Sequence, residues 1–130
     1  MSDALDRALS HGRTIDITTT GRKTGVARRI EIVFHNFDGR IYISGLPSRG
    51  KRAWLANLEA DPQLTLHLKD RIATADLPAT ARVITDEAER REILRRVAAV
   101  WRRTDLETMV SYSPLIEVTV SPVPVGAAGG

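Results

Sequence analysis

The residues best suited to chemistry in this 130-residue chain are cations held on glycine-flanked loops. Gly21-Arg-Lys-Thr-Gly25 sets Arg22, Lys23 and Thr24 between two glycines, and Arg28 and Arg29 follow closely. Ser48-Arg-Gly-Lys-Arg52 repeats the arrangement with Arg49 and Lys51. Backbone amides beside guanidinium and ammonium groups make a surface for phosphate or carboxylate oxygens. A helix beginning near Lys51 adds the partial positive charge of its N-terminus. From Arg13 to Arg52 there are nine Lys or Arg against three acids, a local excess of six in a chain whose total is only +3. Such a field favours an anionic partner: a nucleic acid, an acidic membrane surface or a phosphorylated small molecule. Alone, Gly-Arg-Lys-Thr-Gly is more readily a solvated polar hairpin turn. The second basic loop and the two following arginines bring anion binding level with that reading.

Other chemistries find less support. There is no cysteine, which excludes disulfides, thiolate catalysis and Cys-type zinc or iron–sulfur sites. His11, His35 and His67 lack metal-ligand spacing, so no metal is implied, and His35 and His67 read as exposed or core side chains. The glycines of residues 21–25 are too close for a P-loop, and no Ser or Thr follows a Gly-Lys pair. Neither Ser44-Gly45 nor Ser48 lies in a nucleophile elbow. Glu31, between Ile30 and Ile32, is a lone acid expected to pair with a nearby arginine. Aromatic residues are 5% of the chain, too few for a stacking platform, so no nucleic-acid partner is expected. Tyr112 reads as a packing residue ahead of a pocket lining or proton donor. No residue is assigned as catalytic.

The elements that must carry these loops follow from periodicity. Asp3 to Leu9 forms a short helix behind a Ser2 cap. Thr14–Thr20, residues 28–36 and Arg40–Ser44 alternate apolar with polar side chains, and Asp38-Gly39 is a hairpin turn, so three strands form an antiparallel meander. A short helix follows, with Trp54, Leu55 and Leu58 on one face, stopped by Asp61-Pro62. Gln63–Lys69 is a strand that turns at Lys69-Asp70, and residues 71–85 make one long strand or two broken at Pro78. Asp86 and Glu89 resemble a capping pair for a helix running to Arg103, whose arginine-rich face reads as solvated. Leu115–Val120 is the last strand. Trp54 and Trp101 sit among aliphatics and read first as core. The fold class is mainly β with helices: an antiparallel barrel of six or seven strands, one short inserted helix and one long helix in the C-terminal half. Residues 1–121 are expected to be a single domain, with 122–130 a flexible tail. The first twelve residues do not read as a signal peptide and no stretch reaches a membrane span. A soluble, cytoplasmic protein is expected, with peripheral membrane contact left open.

The string DITTTGRKTGVARRIEI, then DGRIYISG and KRAWLANLEADPQLTLHL, resembles the deazaflavin-dependent oxidoreductases of the nitroreductase and quinone-reductase family. The resemblance covers about Thr14 to Leu68 and rests on Thr-Thr-Gly-Arg-Lys-Thr-Gly and the Ala-Trp-x-x-Asn-Leu segment. It implies a split β-barrel, commonly a homodimer, that binds coenzyme F420, a deazaflavin with a phosphate and a polyglutamate tail. On that resemblance Arg22, Lys23, Thr24, Gly25, Arg28 or Arg29, Arg49 and Lys51 meet phosphate or tail carboxylates. Ser44 and Gly45 lead into the cofactor loop, and Ala53 and Trp54 lie beside the ring. Asn57 and Leu58 also match. The implied activity is hydride transfer from reduced deazaflavin to a small electron-poor acceptor: a quinone, a nitro compound or a conjugated enone. Placement, not a protein nucleophile, is then the chain's task. Two other readings stand beside it. One is a split barrel holding FMN, haem or lipid, or carrying F420 without turnover; FMN, with one phosphate and no polyglutamate, needs fewer cations. The other is a basic nucleic-acid-binding barrel.

Overall fold

The computed structural model describes residues 3–10, 14–69 and 74–121. Six strands close into an antiparallel barrel: β1 (Thr14–Thr20), β2 (Ala27–Phe37), β3 (Arg40–Ser44), β4 (Gln63–Lys69), β5 (Thr74–Val83) and β6 (Leu115–Val120), joined in the order β1-β2-β3-β6-β5-β4. Closure is partial along each long strand: residues 27–33 of β2 pair with β1 alone, and β3 takes over at Phe34. The alternation that marks the strands also sets their register. Ile15 and Ile17 point inward opposite Ile32 and Ile30 of β2, and Ile17 faces Leu66 of β4. Phe34, Ile43, Leu66, Leu68 and Ile116 fill the interior at 2% exposure or less. The β2–β3 hairpin turns through Asp38 (φ 58°) and Gly39 (φ 88°), the two positive dihedrals of a type I′ turn.

Four helices among the described residues pack on this barrel. From α1 (Asp3–Ser10), Ala8 and Leu9 join the interior core, as do Trp54 and Leu58 from α2 (Ala53–Ala60). A second core lies outside the barrel wall. There α3 (Glu87–Trp101) and α4 (Leu106–Tyr112) press Ile93, Leu94, Val97, Met109 and Val110 onto Tyr42, Ile84 and Leu115. The cap of α3 is as the sequence implies, with the Asp86 carboxylate accepting from the Glu89 N–H at 2.9 Å.

Three sequence expectations need correction. The helix α4 was not anticipated. No side chain caps its start at Asp105, whose carboxylate is engaged by Arg103, and its last turn is held from a distance. Arg90 of α3 donates to the carbonyls of Met109, Val110 and Ser113, and to that of Ile84. The arginines of α3 are therefore not simply solvated: Arg90 is half-buried, Arg91 pairs with Glu107, and Arg96 pairs with Asp38 at 2.8 Å while lying over Phe37. Glu31 pairs with Lys69 at 2.7 Å rather than with an arginine. Pro78 does not break its strand. It lies where the β6 ladder ends: its carbonyl accepts from the Ser121 N–H at 2.9 Å, and ladder pairing to β6 starts at Ala79, so its missing N–H is tolerated. The anticipated Ser2 cap, the turn at Asp70 and the tail from 122 onward lie outside the described residues.

Candidate cofactor site

The 21–25 turn is shaped by its own glycines and by one distant side chain. Gly25 takes φ +70°, where a residue with a Cβ is strained, and its N–H closes onto the Gly21 carbonyl at 2.8 Å. The Gly21 N–H bonds the Val26 carbonyl at 2.9 Å, and a Cβ on Gly21 would come within 3.0 Å of that same oxygen. Asn57 of α2, only 4% exposed, then pins the loop. Its Oδ1 accepts from the Arg22 N–H at 3.1 Å and its Nδ2 donates to Thr19 Oγ1 at 3.1 Å. One buried amide thus fixes the turn to both α2 and β1.

With the turn fixed, its cations border a groove. A hollow of about 430 Å³ lies between Arg22, Lys23, Thr24 and Arg28 on one side and Ala53, Trp54 and Asn57 on the other. A second, of about 470 Å³, continues past Ile32, Ser44, Gly45, Leu46 and Arg52. Both share Ile30, Ala53 and Trp54, so the two hollows meet at the indole, one bordered by Arg22, Lys23 and Arg28 and the other by Glu31 and Arg52. Gly25 closes the turn behind the cations. Arg22, Lys23 and Arg28 are exposed and belong to no ion pair among the described residues. Among the described residues no side chain caps the start of α2, which leaves its first amides available at the same place.

The remaining sequence candidates are placed differently. Arg28 and Arg29 are neighbours on β2 and therefore face opposite ways. Arg28 pairs in register with inward-facing Thr19, at the barrel mouth, while Arg29 lies on the outer wall bound to Asp16 at 2.9 Å. Lys69 and Arg29 together hold the Asp16 carboxyl below the usual carboxylate range. Ser44 is buried and its hydroxyl is committed to the Pro114 carbonyl at 2.8 Å. Gly45 is a close approach: a Cβ there would stand 3.1 Å from Pro114 Cγ and 3.2 Å from Arg52 Nε. Arg49 and Lys51 do not face the groove. They line a third hollow of about 340 Å³ on another flank of α2, and Lys51 is paired with Glu59 at 2.6 Å. Of the second basic loop only Arg52 reaches the groove, its Nη2 donating to the Leu46 carbonyl and its buried Nε left without a partner.

Sequence reasoning passed over Arg52, Thr19 and Ile30. Arg52 was visible only as one more cation of a basic loop. Thr19 and Ile30 were visible only as members of an alternating strand. The histidines lie elsewhere. His67 stands 2.7 Å from Thr18 Oγ1 and 2.7 Å from Asp76 Oδ1, linking three adjacent strands on the outer wall. His35 is buried beside Phe37 and Trp101, and burial pushes its pKa down to about 4.

The groove fits an extended anion with an aromatic head. Its three carboxylate-free cations suit phosphate and carboxylate oxygens, and the apolar stretch at Trp54 and Ile30 suits a flat ring system. Coenzyme F420 has that composition. The conserved hypothetical protein Rv2991 from Mycobacterium tuberculosis superposes with a TM-score of 0.73 at 17% identity, over 94% of this chain and 82% of that one. An F420-H2 dependent reductase, FDR-A, superposes at 0.58 with 20% identity, over 82% and 93% of the two chains. A structure described as a domain-swapped dimer superposes at 0.58 with 19% identity, over 88% and 90%. These likenesses show the shared fold. The sequence profile of the F420H(2)-dependent quinone reductases matches residues 4–121. The chain therefore belongs to the F420H(2)-dependent quinone reductase family, and it is an oxidoreductase whose cofactor is coenzyme F420.

Proposed function

We propose that the groove between the 21–25 turn and Trp54 holds F420H2 and that the chain reduces a small electron-poor acceptor, of quinone, nitro or conjugated-enone type. The observation that carries this reading is the set of three unpaired cations, Arg22, Lys23 and Arg28, bordering the same groove as the indole. When bound, the reduced deazaflavin supplies a hydride. The chain's own residues do the rest. Arg22, Lys23 and Arg28 take phosphate and tail carboxylates, with charge-assisted hydrogen bonds that anchor one end. Asn57 keeps the Arg22 amide and the turn in place, so the cations are pre-arranged. Ile30, Ile32, Ala53 and Trp54 orient the ring and exclude water from one side of it. Arg49, Lys51 and Arg29 have no part in this arrangement. A homodimer, the assembly that the domain-swapped neighbour's description gives for that protein, and a reducing cytoplasm, suited to a chain without cysteine, complete the reading.

The test is a turnover assay combined with a binding assay. Protein is mixed with F420H2 and a soluble benzoquinone, menadione or a nitroaromatic, and reappearance of oxidised cofactor is followed by absorbance. In parallel, F420 and FMN are titrated against the fluorescence of a Trp101→Phe variant, which leaves Trp54 as the reporter. Quenching by F420 and not FMN, with oxidation of F420H2 by at least one acceptor, is expected. Binding without oxidation on any of them would reduce the chain to a carrier of F420.

A further inference from the structure

The third hollow has no part in that reading, yet its chemistry is unusual. Its lining holds four cations, Arg49, Lys51, Arg52 and Arg90, against one acid, Glu59, for a formal balance of +3 (four minus one). Glu59 is already taken by Lys51 at 2.6 Å. Arg90 is half-buried with its donors spent on backbone carbonyls, and no carboxylate is paired with it among the described residues. Carbonyls satisfy its hydrogen-bonding capacity and leave its charge uncompensated. Burial lowers its pKa with no opposing carboxylate contribution, in agreement with that geometry. One further donor on the lining is unused. Ser113 is 4% exposed and its Oγ has no hydrogen-bond partner. A buried hydroxyl costs free energy unless something meets it. The rest of the wall is apolar, formed by Leu55, Val83, Ile84, Pro114 and Leu115.

We propose that this hollow is a second ligand site, for a small carboxylate with an apolar body. One carboxylate oxygen answers the unused hydroxyl of Ser113, in the field of Arg90 and Arg49. The apolar body lies against Leu55 and Val83. A bare phosphate would leave that wall wet, and a neutral molecule of the same shape would leave the charge unanswered. The site shares only Arg52 with the cofactor groove, and the proposal stands whether or not the groove takes F420.

The probe is benzoate, titrated into the full chain while backbone amide NMR shifts are recorded, with benzamide and inorganic phosphate as the neutral and bodiless comparisons. Saturable shifts at Ser113, Leu115 and Tyr112 are expected, with benzamide and phosphate each at least about tenfold weaker. Ser113→Ala should keep the melting temperature, because its hydroxyl has no partner to lose, and should weaken benzoate by about tenfold, the loss of one hydrogen bond to a charged group. Thr85→Glu, which adds an acid at an exposed lining position, should also weaken it. The proposal is overturned by the absence of saturable shifts, by shifts confined to Arg22 and Trp54, or by benzamide or phosphate binding as tightly. It is overturned equally by undiminished affinity in Ser113→Ala. An F420 titration of the same samples separates the two claims. A chain that takes F420 and ignores benzoate refutes this site alone, and one that takes benzoate and ignores F420 upholds this site while refuting the groove's assignment.

Discussion

Replacing Asn57 with leucine should uncouple the anion-binding turn from the barrel while keeping the volume of the side chain. The wild-type amide makes two hydrogen bonds, from the Arg22 N–H and to Thr19 Oγ1, both at 3.1 Å. Each is worth about 1 kcal/mol net, so about 2 kcal/mol is lost with the bonds alone. Their partners are not left equally badly off. Arg22 is exposed, so its freed N–H finds water. Thr19 is 2% exposed, and a stranded hydroxyl there adds about 1 kcal/mol. The sum, about 3 kcal/mol, corresponds to a fall of roughly 10 °C in melting temperature for a domain of this size. Affinity for F420 should fall with it, because the turn then samples conformations in which Arg22 and Lys23 face away. Leu58→Ala is the control. It removes a core side chain one position along, 2% exposed, at a cost of about 2–5 kcal/mol, but leaves the Asn57 bonds in place. The assays are thermal melts by circular dichroism and F420 titration at a temperature where each variant is fully folded. If Asn57→Leu and Leu58→Ala lose stability together but neither loses F420 affinity, the amide is a structural tie and the reasoning about the turn is wrong.

Arg22→Ala and Lys23→Ala should each weaken F420 binding about five- to tenfold with no change in melting temperature, since neither side chain is paired in the free protein. A loss of stability in either variant would identify a structural turn instead. Gly25→Ala should cost about 1 kcal/mol through its φ of +70° alone, because a Cβ there meets nothing within 4 Å; Gly25→Asn should cost less in the same melts. His35 gives an acid dependence. Its folded pKa of about 4 lies below the ordinary 6.5, so between those values the unfolded chain binds the proton and the folded one does not. Stability is thus fully present above pH 6.5 and falls by about 2–3 kcal/mol as the pH drops toward 4. Urea midpoints of wild type and His35→Leu should diverge over that window, with the variant's curve flatter. Parallel curves would place the acid sensitivity elsewhere.

Much of the fold was legible because alternation is a local signal. Ile15 and Ile17, Leu64 and Leu66, and the Asp38-Gly39 turn each announce a strand or hairpin from neighbouring residues alone. The helix α4 was not legible because what holds it is remote. LETMVSY offers two buried residues and no cap, and its carbonyls are satisfied by Arg90, about twenty positions earlier. The site was legible in kind more than in detail. Arg22, Lys23, Arg28, Ala53 and Trp54 do border one groove, because the turn and the start of α2 lie side by side at the barrel mouth. Parity along β2 separates Arg28 from Arg29, and a pattern of cations does not reveal parity until the register to Thr19 is known. Arg49 and Lys51 look like groove residues only while the course of the loop around α2 is unknown. Charge counts, being sums, carry no direction.

The most direct measurement is a crystal structure of the chain grown with F420. Phosphate or tail oxygens are expected within hydrogen-bonding distance of Arg22, Lys23 and Arg28, with the deazaflavin ring against Trp54. A cofactor seated away from this groove, or held by Arg49 and Lys51 with Arg22 and Lys23 left in solvent, would contradict that placement.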